Sequence, residues 1–235
     1  MKRYIRPALG IAGFALLAYG AYLGLAWAPP DRDMGNVQRI MYVHVPSVWI
    51  GLLALIVQFV ACVVYLFKGS WKVDALAEAT TEVGVVIGTV GVLLGAIWGR
   101  PTWGVWWTWD PRLTTAAILI VAFLGVLALR KFVEDPERRA TWSAVAGIIA
   151  SVDLPIVWFS VQWWRSLHQP QSTRGSMDPQ MWMTLAVNAI ALLMVGAWFV
   201  WERYRIAFRE RMEEIALPGA LPDLPPPPEV QGIAS

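Results

Sequence analysis

"HVPSVWIGLLALIVQFVACVVYLF", residues His44 to Phe67, runs for 24 positions without an Asp, Glu, Lys or Arg. A helix needs roughly 20 mostly apolar residues to cross the hydrocarbon core of a bilayer. This stretch is long enough to span one and too apolar for the surface of a soluble domain. Five more apolar blocks surround it, at about Pro7–Ala28, Val83–Trp98, Leu113–Leu129, Thr141–Phe159 and Met181–Trp201. The blocks Val83–Trp98 and Leu113–Leu129 are short, so they are expected to tilt or to lengthen into the flanking loops. Composition agrees with the blocks. The 235 residues are 57% hydrophobic and 15% charged, where a soluble domain carries about 25% charged. Mean hydropathy is +0.51. The reading is an all-α polytopic membrane protein with six transmembrane helices over residues 1–201, no internal repeat, and a tail from 202 to 235.

The first block has a basic start, Lys2, Arg3 and Arg6, and an "AWA" that looks like a cleavage site. Its apolar run exceeds the roughly 7–15 residues of a signal h-region, and Pro29 and Pro30 follow it. It is read as an uncleaved first span.

Lysine and arginine set the orientation, because cytoplasmic loops hold the excess. With the N-terminus inside, thirteen basic residues fall on inner segments and six (Arg32, Arg39, Arg100, Arg112, Arg165 and Arg174) on outer loops. Both termini are therefore expected in the cytoplasm. The outer loops are about 29–43, 99–112 and 160–180. The net charge of +2 reflects this topology and argues for no nucleic-acid partner. The tail divides into "WERYRIAFRERMEEIAL", which could extend the sixth helix, and "PGALPDLPPPPEV", which is Pro-rich and expected to be disordered.

Some chemistries are excluded early. Cys62 is alone, so no disulfide can form within the chain, and no CxxCH haem-attachment motif occurs. No Gly-rich phosphate loop ending in Lys-Ser/Thr occurs either, which excludes ATP hydrolysis by that route.

The chemistry concentrates in "WGRPTWGVWWTWDPRLT", Trp98 to Thr114. Five of its first twelve residues are tryptophan: Trp98, Trp103, Trp106, Trp107 and Trp109. Membrane proteins carry Trp belts at both interfaces. Here eleven Trp lie near the outer face and four near the inner. That asymmetry favours an outward aromatic platform for a large flat ligand, which aromatic faces bind by offset stacking. Gly99 and Gly104 would let the backbone approach it. Asp110 precedes Pro111 as a helix cap would, and the pairs Asp135-Pro136 and Asp178-Pro179 repeat that pattern.

The two histidines, His44 and His168, fall on the outer loops either side of the tryptophan stretch. Two imidazoles suffice as axial ligands of a haem iron, whose porphyrin supplies four nitrogens. They do not close a zinc site, which takes four protein ligands. Copper competes, with Met34, Met41, Met177 and Met181 also outside, but leaves the flat aromatic surface unexplained. Asp153 lies inside the fifth span before Pro155. It either satisfies backbone freed by the proline, faces an arginine, or marks function. Gln58 and Asn188 are expected to hydrogen-bond between helices.

These segments resemble a known family. "WGRPTWGVWWTWDPRLT" resembles the WWD motif of haem-handling membrane proteins. "YVHVPSVWIG" and "VQWWRSLHQP" resemble the histidine segments of the heme exporter protein C (CcmC-type) family of system I cytochrome c maturation. The likeness covers roughly residues 38–185 and leaves the Pro-rich end unmatched. It implies a non-enzymatic component that binds haem b at the outer face of the bacterial cytoplasmic (inner) membrane and presents it to a membrane-anchored haem chaperone. It implies His44 and His168 as axial ligands of the haem iron and Trp98–Asp110 as the platform. An ATP-binding-cassette ATPase and permease pair and a small helper membrane protein would be partners. Arg100 and Arg112 bracket the tryptophan loop and are candidates to pair with the haem propionates, with Arg165 near His168. The open alternatives are the permease subunit of an ABC-type haem transporter and a copper- or quinone-linked membrane protein.

Overall fold

The computed structural model describes residues 2–216, and the Pro-rich segment expected to be disordered lies outside them. Seven α-helices build six spans. Helix α1 (Lys2–Tyr22) ends in a π turn, Leu23–Trp27. A 3₁₀ turn, Asn36–Ile40, leads into α2 (Met41–Lys68). Then come α3 (Trp71–Trp103) and α4 (Pro111–Phe132). Helices α5 (Pro136–Ser151) and α6 (Asp153–Trp163) form one span with a break at Val152. The last span is α7 (Pro179–Ala216). Among the described residues there is no strand, and one isolated bridge joins Asp31 to Gly35.

In lipid, apolar side chains gain little by leaving one apolar medium for another. Helices there associate through close packing of small residues and hydrogen bonds. The central hairpin of α2 and α3 shows the first. A Cβ added to Gly51 would lie 2.9 Å from the Gly88 Cα, so the two backbones are in contact. Gly69, at φ +59°, closes α2 with its N–H on the Tyr65 carbonyl and makes the tight turn into α3. The second shows in the residues expected to link helices. Asn188 Nδ2 on α7 donates to the Gly20 carbonyl on α1 at 3.1 Å. Ser151 Oγ on α5 donates to Gln58 Oε1 on α2 at 3.3 Å. The hairpin is thus flanked by α1 and α7 on one side and by α4, α5 and α6 on the other.

The fifth span breaks for a local reason. Pro155 offers no N–H to the Ser151 carbonyl and its ring crowds that oxygen. Above the break α6 packs on α4, with Leu154 and Val157 against Leu119 and Phe123.

The helices outrun the apolar blocks. α3 has 33 residues where the block Val83–Trp98 suggested half that, and α7 continues through the charged segment to Ala216. The apolar pattern counts only the part in lipid. The charged turns beyond it pair with each other. Arg130 Nη1 and Nη2 donate to Asp74 Oδ1 and Oδ2 at 2.9 and 3.0 Å, and Nη2 also to Glu78 at 2.7 Å. Arg211 Nη2 reaches Asp74 Oδ2 at 3.1 Å, and its guanidinium lies 5.7 Å over the Trp71 ring. Arg203 pairs with Glu82 and Arg139 with Glu214. This ion-pair end is one pole of the molecule. The tryptophan stretch and both histidines form the other.

Candidate functional site

Three connections meet at that second pole, and the residues from which the site is built come from all of them. His44 sits in the first turn of α2, buried, its ring edge-on to Trp98 with centroids 5.7 Å apart. A Cβ on Gly95 would fall 2.9 Å from His44 Cε1, so glycine at that position of α3 makes room for the ring. His168 comes from the irregular segment after α6. Its centroid is 6.3 Å from that of His44 and 6.4 Å from that of Trp103.

Both imidazoles are fixed from behind. His44 Nδ1 lies 2.8 Å from the Gly91 carbonyl and His168 Nδ1 lies 2.7 Å from the Gln169 carbonyl. A carbonyl only accepts, so each Nδ1 carries the proton and each Nε2 keeps its lone pair. This is the arrangement of metal-ligating histidines, whose second nitrogen is oriented by a hydrogen bond. Burial, and then the Arg112 cation, lower the His168 pKa below its ordinary value, which favours the neutral ligand form.

Between the histidines and the helices opens a cleft with about 1270 Å³ of atom-free space, its open mouth included. Trp98, Trp103 and Trp107 line it beside both histidines and Arg112. Val48, Leu55, Gly88, Leu119 and Ile120 form its apolar floor. The indole Nε1 atoms of Trp98 and Trp107 are buried without a hydrogen-bond partner. Buried donors of this kind are normally satisfied, so the cleft has polar capacity for a ligand.

The tryptophan stretch does not behave as a single loop. Trp98–Trp103 forms the last turn and a half of α3, Gly104 caps it at φ +80°, and α4 starts at Pro111. The five indoles divide accordingly. Trp98, Trp103 and Trp107 face the cleft, whereas Trp106 and Trp109 are 58% and 79% exposed. Gly99 makes room for the Trp103 ring, 3.1 Å from where a Cβ would sit, and Gly104 serves the helix end.

Asp110 caps α4 as its Asp-Pro signature suggests, with Oδ1 accepting from the Leu113 N–H at 2.9 Å. Its other oxygen does more. Oδ2 accepts from Ser166 Oγ at 2.7 Å and from the Leu167 N–H at 3.1 Å, and the His168 N–H donates to Ser166 Oγ at 3.0 Å. One carboxylate thus fixes the tryptophan connection to the histidine segment. Sequence reasoning found the cap and missed the tie, which joins positions 56 and 57 apart. The spacing of Ser166 two residues before His168 was the available signal.

The two bracketing arginines part company. Arg112 lines the cleft and donates through Nη1 to the Val157 and Trp158 carbonyls of α6. Arg100 folds back on the Gly104 carbonyl of its own helix end. Met41 and Met181 are buried, and Met34 and Met177 pack against them in an apolar cluster around Tyr42 and Trp98. The sulfur atoms of Met34 and Met41 accept from Gln169, and from Gln38 and Ser172, rather than joining the histidines. Among the described residues no three His, Cys, Asp or Glu side chains converge as a bare-metal site.

Fold and site together define a six-span helical membrane protein with an aromatic-walled, two-histidine cleft at one end. The profile of heme exporter protein C matches residues 1–216. Heme exporter protein C of Bradyrhizobium diazoefficiens is 37% identical over 195 residues, 81% of this chain and 74% of that protein. Its namesake in Escherichia coli K12 is 35% identical over 205 residues, 85% and 82%. That of Haemophilus influenzae is 35% identical over 208 residues, 86% and 84%. The chain belongs to the heme exporter protein C family.

Proposed function

We propose that the chain binds haem in this cleft, with His44 and His168 as the two axial ligands, and presents it to a membrane-anchored haem chaperone for cytochrome c maturation. The observation that carries the reading is the histidine pair. Two imidazoles bound trans to one metal, each at about 2.0–2.1 Å, put their ring centroids roughly 6 Å apart. The observed 6.3 Å fits, and with each Nδ1 on a carbonyl the Nε2 is the nitrogen left to coordinate. The family name supplies haem as the cargo.

The chain's own residues divide the work. His44 and His168 hold the iron. Trp98, Trp103 and Trp107 cover the porphyrin faces and edges. Arg112, the cation at the cleft wall, pairs with a propionate, and the unpaired indole N–H groups of Trp98 and Trp107 add donors. Arg100 is at the rim, outside the lining, and takes a propionate only by leaving the Gly104 carbonyl. No nucleophile is needed: the chain positions haem b, and the bond to the chaperone forms on the chaperone's own side chain. The thirteen-to-six split of basic residues turns the cleft towards the periplasm and the termini to the cytoplasm. The ABC-type ATPase and permease subunits and the small helper protein are the proposed neighbours.

Presentation at one face fits better than passage through the chain. Along α4, Leu119 lines the cleft, Phe123 is fully buried, and Val126 and Arg130 line a separate polar void at the ion-pair end. A packed apolar layer separates the two spaces.

The test is spectroscopic. Protein purified with haem is expected to show a bis-imidazole Soret spectrum. His44→Ala and His168→Ala each remove one nitrogen ligand and shift it, and added imidazole restores it. Wild-type spectra from both single variants would refute the assignment, and a copper signal without porphyrin would install the rival.

A further inference from the structure

Asp153 is the one span residue singled out from sequence that neither the cleft nor the ion-pair end absorbs. It stands at the first position of α6, just past the break at Val152. Six residues separate it from Phe159, where the apolar block of this span ends, about 9 Å at 1.5 Å per residue, against twelve residues to Thr141. It lies inside the hydrocarbon core, in its outer half.

Its surroundings make that position expensive. Trp142, Val145, Ile149 and Val152 recur at helical spacing and are all exposed, with Ile149 at 66% and Val152 at 64%. They form the apolar outer stripe of the fifth span. Asp153 is the next residue along that stripe and is half-buried. Its Oδ2 is buried with no hydrogen-bond partner, and it does not cap α6. The expectation that it serves backbone freed by Pro155, or meets an arginine of this chain, finds no support in these contacts. Among the described residues no salt bridge reaches Asp153, and the Arg112 Nη1 that approaches α6 donates to the Val157 and Trp158 carbonyls. A carboxylate set among lipid-facing apolar side chains is stable there only with a partner, and in membranes such residues pair with one another.

We infer that Asp153 and the stripe Trp142–Val152 form an intramembrane docking face for a transmembrane helix of another subunit, which brings a Lys or Arg side chain to Asp153. Charge complementarity fixes the class of partner. Oδ2 is enclosed by the chain, Oδ1 is the oxygen it leaves uncovered and unpaired, and a cation at the same depth satisfies both groups where water is absent. The apolar stripe supplies shape and contact, and the carboxylate supplies register along the helix, as a single buried polar group does in helix association. The inference rests on the bilayer-spanning fold and is independent of what the cleft binds.

The experiment uses the full chain expressed with the other subunits of its exporter in native membranes. A benzophenone side chain is placed at Val152, beside Asp153, and in a control at Val121, an exposed position on α4. Irradiation at Val152 is expected to give an adduct with one other subunit, mapped by mass spectrometry to an apolar segment containing Lys or Arg. Asp153→Ala is expected to reduce that adduct about tenfold or more, the scale of losing one member of a buried charge pair. Asp153→Glu, which keeps the charge, is expected to retain most of it. Comparison is made at equal membrane abundance and with the haem spectrum as a check on folding. Adducts with lipid alone, an adduct with a second copy of this chain, or an adduct undiminished by Asp153→Ala would each overturn the proposal.

Discussion

The two poles of this bundle are built from different kinds of residue and solve opposite problems. At the ion-pair end, Arg130, Arg203 and Arg211 meet Asp74, Glu78 and Glu82, and the neighbouring void is small, about 270 Å³ with its open edges. At the histidine end the cleft is several times larger, and Trp98 and Trp107 keep buried N–H groups without partners. One end pairs its charges with one another, although Arg130 Nε and Arg211 Nε stay without a partner. The other opens onto the cleft, with fixed imidazoles whose Nε2 atoms make no hydrogen bond to the described residues. Unpaired buried donors occur at both ends, so it is the large open cleft beside Trp98 and Trp107 that marks a place for a ligand.

The sharpest way to break that contrast is at Asp74. It is 2% exposed and accepts from Arg130 and Arg211 together. Asp74→Ala leaves Arg130 with Glu78 alone and Arg211 with Glu78 and Glu214, so the cost falls towards the lower end of the about 3–5 kcal/mol for removing one partner of a buried pair. Membrane abundance and the midpoint of thermal unfolding in detergent should fall markedly, while haem bound per folded molecule stays the same. Loss of haem without loss of stability would mean that the two ends are not separate in function.

Asp110 tests the other pole. Asp110→Ala removes a helix cap, worth about 1 kcal/mol, and the carboxylate's two bonds to the His168 segment. Hydrogen bonds to a charged group contribute about 1.5–3 kcal/mol each. The expected outcome is modest destabilisation with a large loss of haem retention, because His168 is no longer held opposite His44. Asp110→Asn keeps an acceptor for Leu113 and is expected to fall between wild type and Asp110→Ala. If Asp110→Ala unfolds the protein while the folded remainder binds haem normally, the residue is a cap and nothing more.

Arginine gives a smaller contrast within one loop. Arg112 lines the cleft and Arg100 does not. Arg112→Gln should weaken haem retention by about tenfold to a hundredfold, the cost of one charge-assisted contact. Arg100→Gln should be close to silent in the same assay. Equal effects would place both side chains at the lipid surface rather than at the propionates.

How much of this could be read beforehand follows from what kind of signal each feature leaves. The six spans were legible because lipid demands an apolar run of fixed length, and the three Asp-Pro caps because capping is local. The meeting of His44, His168 and the tryptophan stretch followed from topology, since all three fell on the same side. Side-chain direction within the stretch did not. α3 runs on through Pro101 to Trp103, which turns Trp106 and Trp109 away from the cleft, and no period in "WGVWWTWD" announces that helix end. Gly95 and Gly91, which shape the His44 niche, were invisible because they act across two helices rather than along one.

That division of the tryptophans gives the finest comparison. Trp103 and Trp107 line the cleft, while Trp106 and Trp109 are exposed beside it, on the same end of the molecule. An exposed aromatic group beside a ligand site is a surface for a partner. The paired change Trp103→Ala with Trp107→Ala should therefore strip haem from the purified protein. The paired change Trp106→Ala with Trp109→Ala should leave the haem spectrum intact and lower recovery of the chaperone in a pull-down at matched abundance. Single Trp→Phe changes keep most of the aromatic contact, each worth about 0.5–1.5 kcal/mol beyond buried area, so each should shift haem or chaperone binding by tenfold at most. The single change at Trp109 should be the mildest for haem, since the ring touches Trp107 edge-on at 5.7 Å and otherwise faces outwards. If the outer pair strips haem as fully as the inner pair, the stretch acts as one platform and the split seen in the folded chain has no functional meaning. If neither pair affects haem or chaperone, the indoles are an interfacial belt, and the histidines alone hold the ligand.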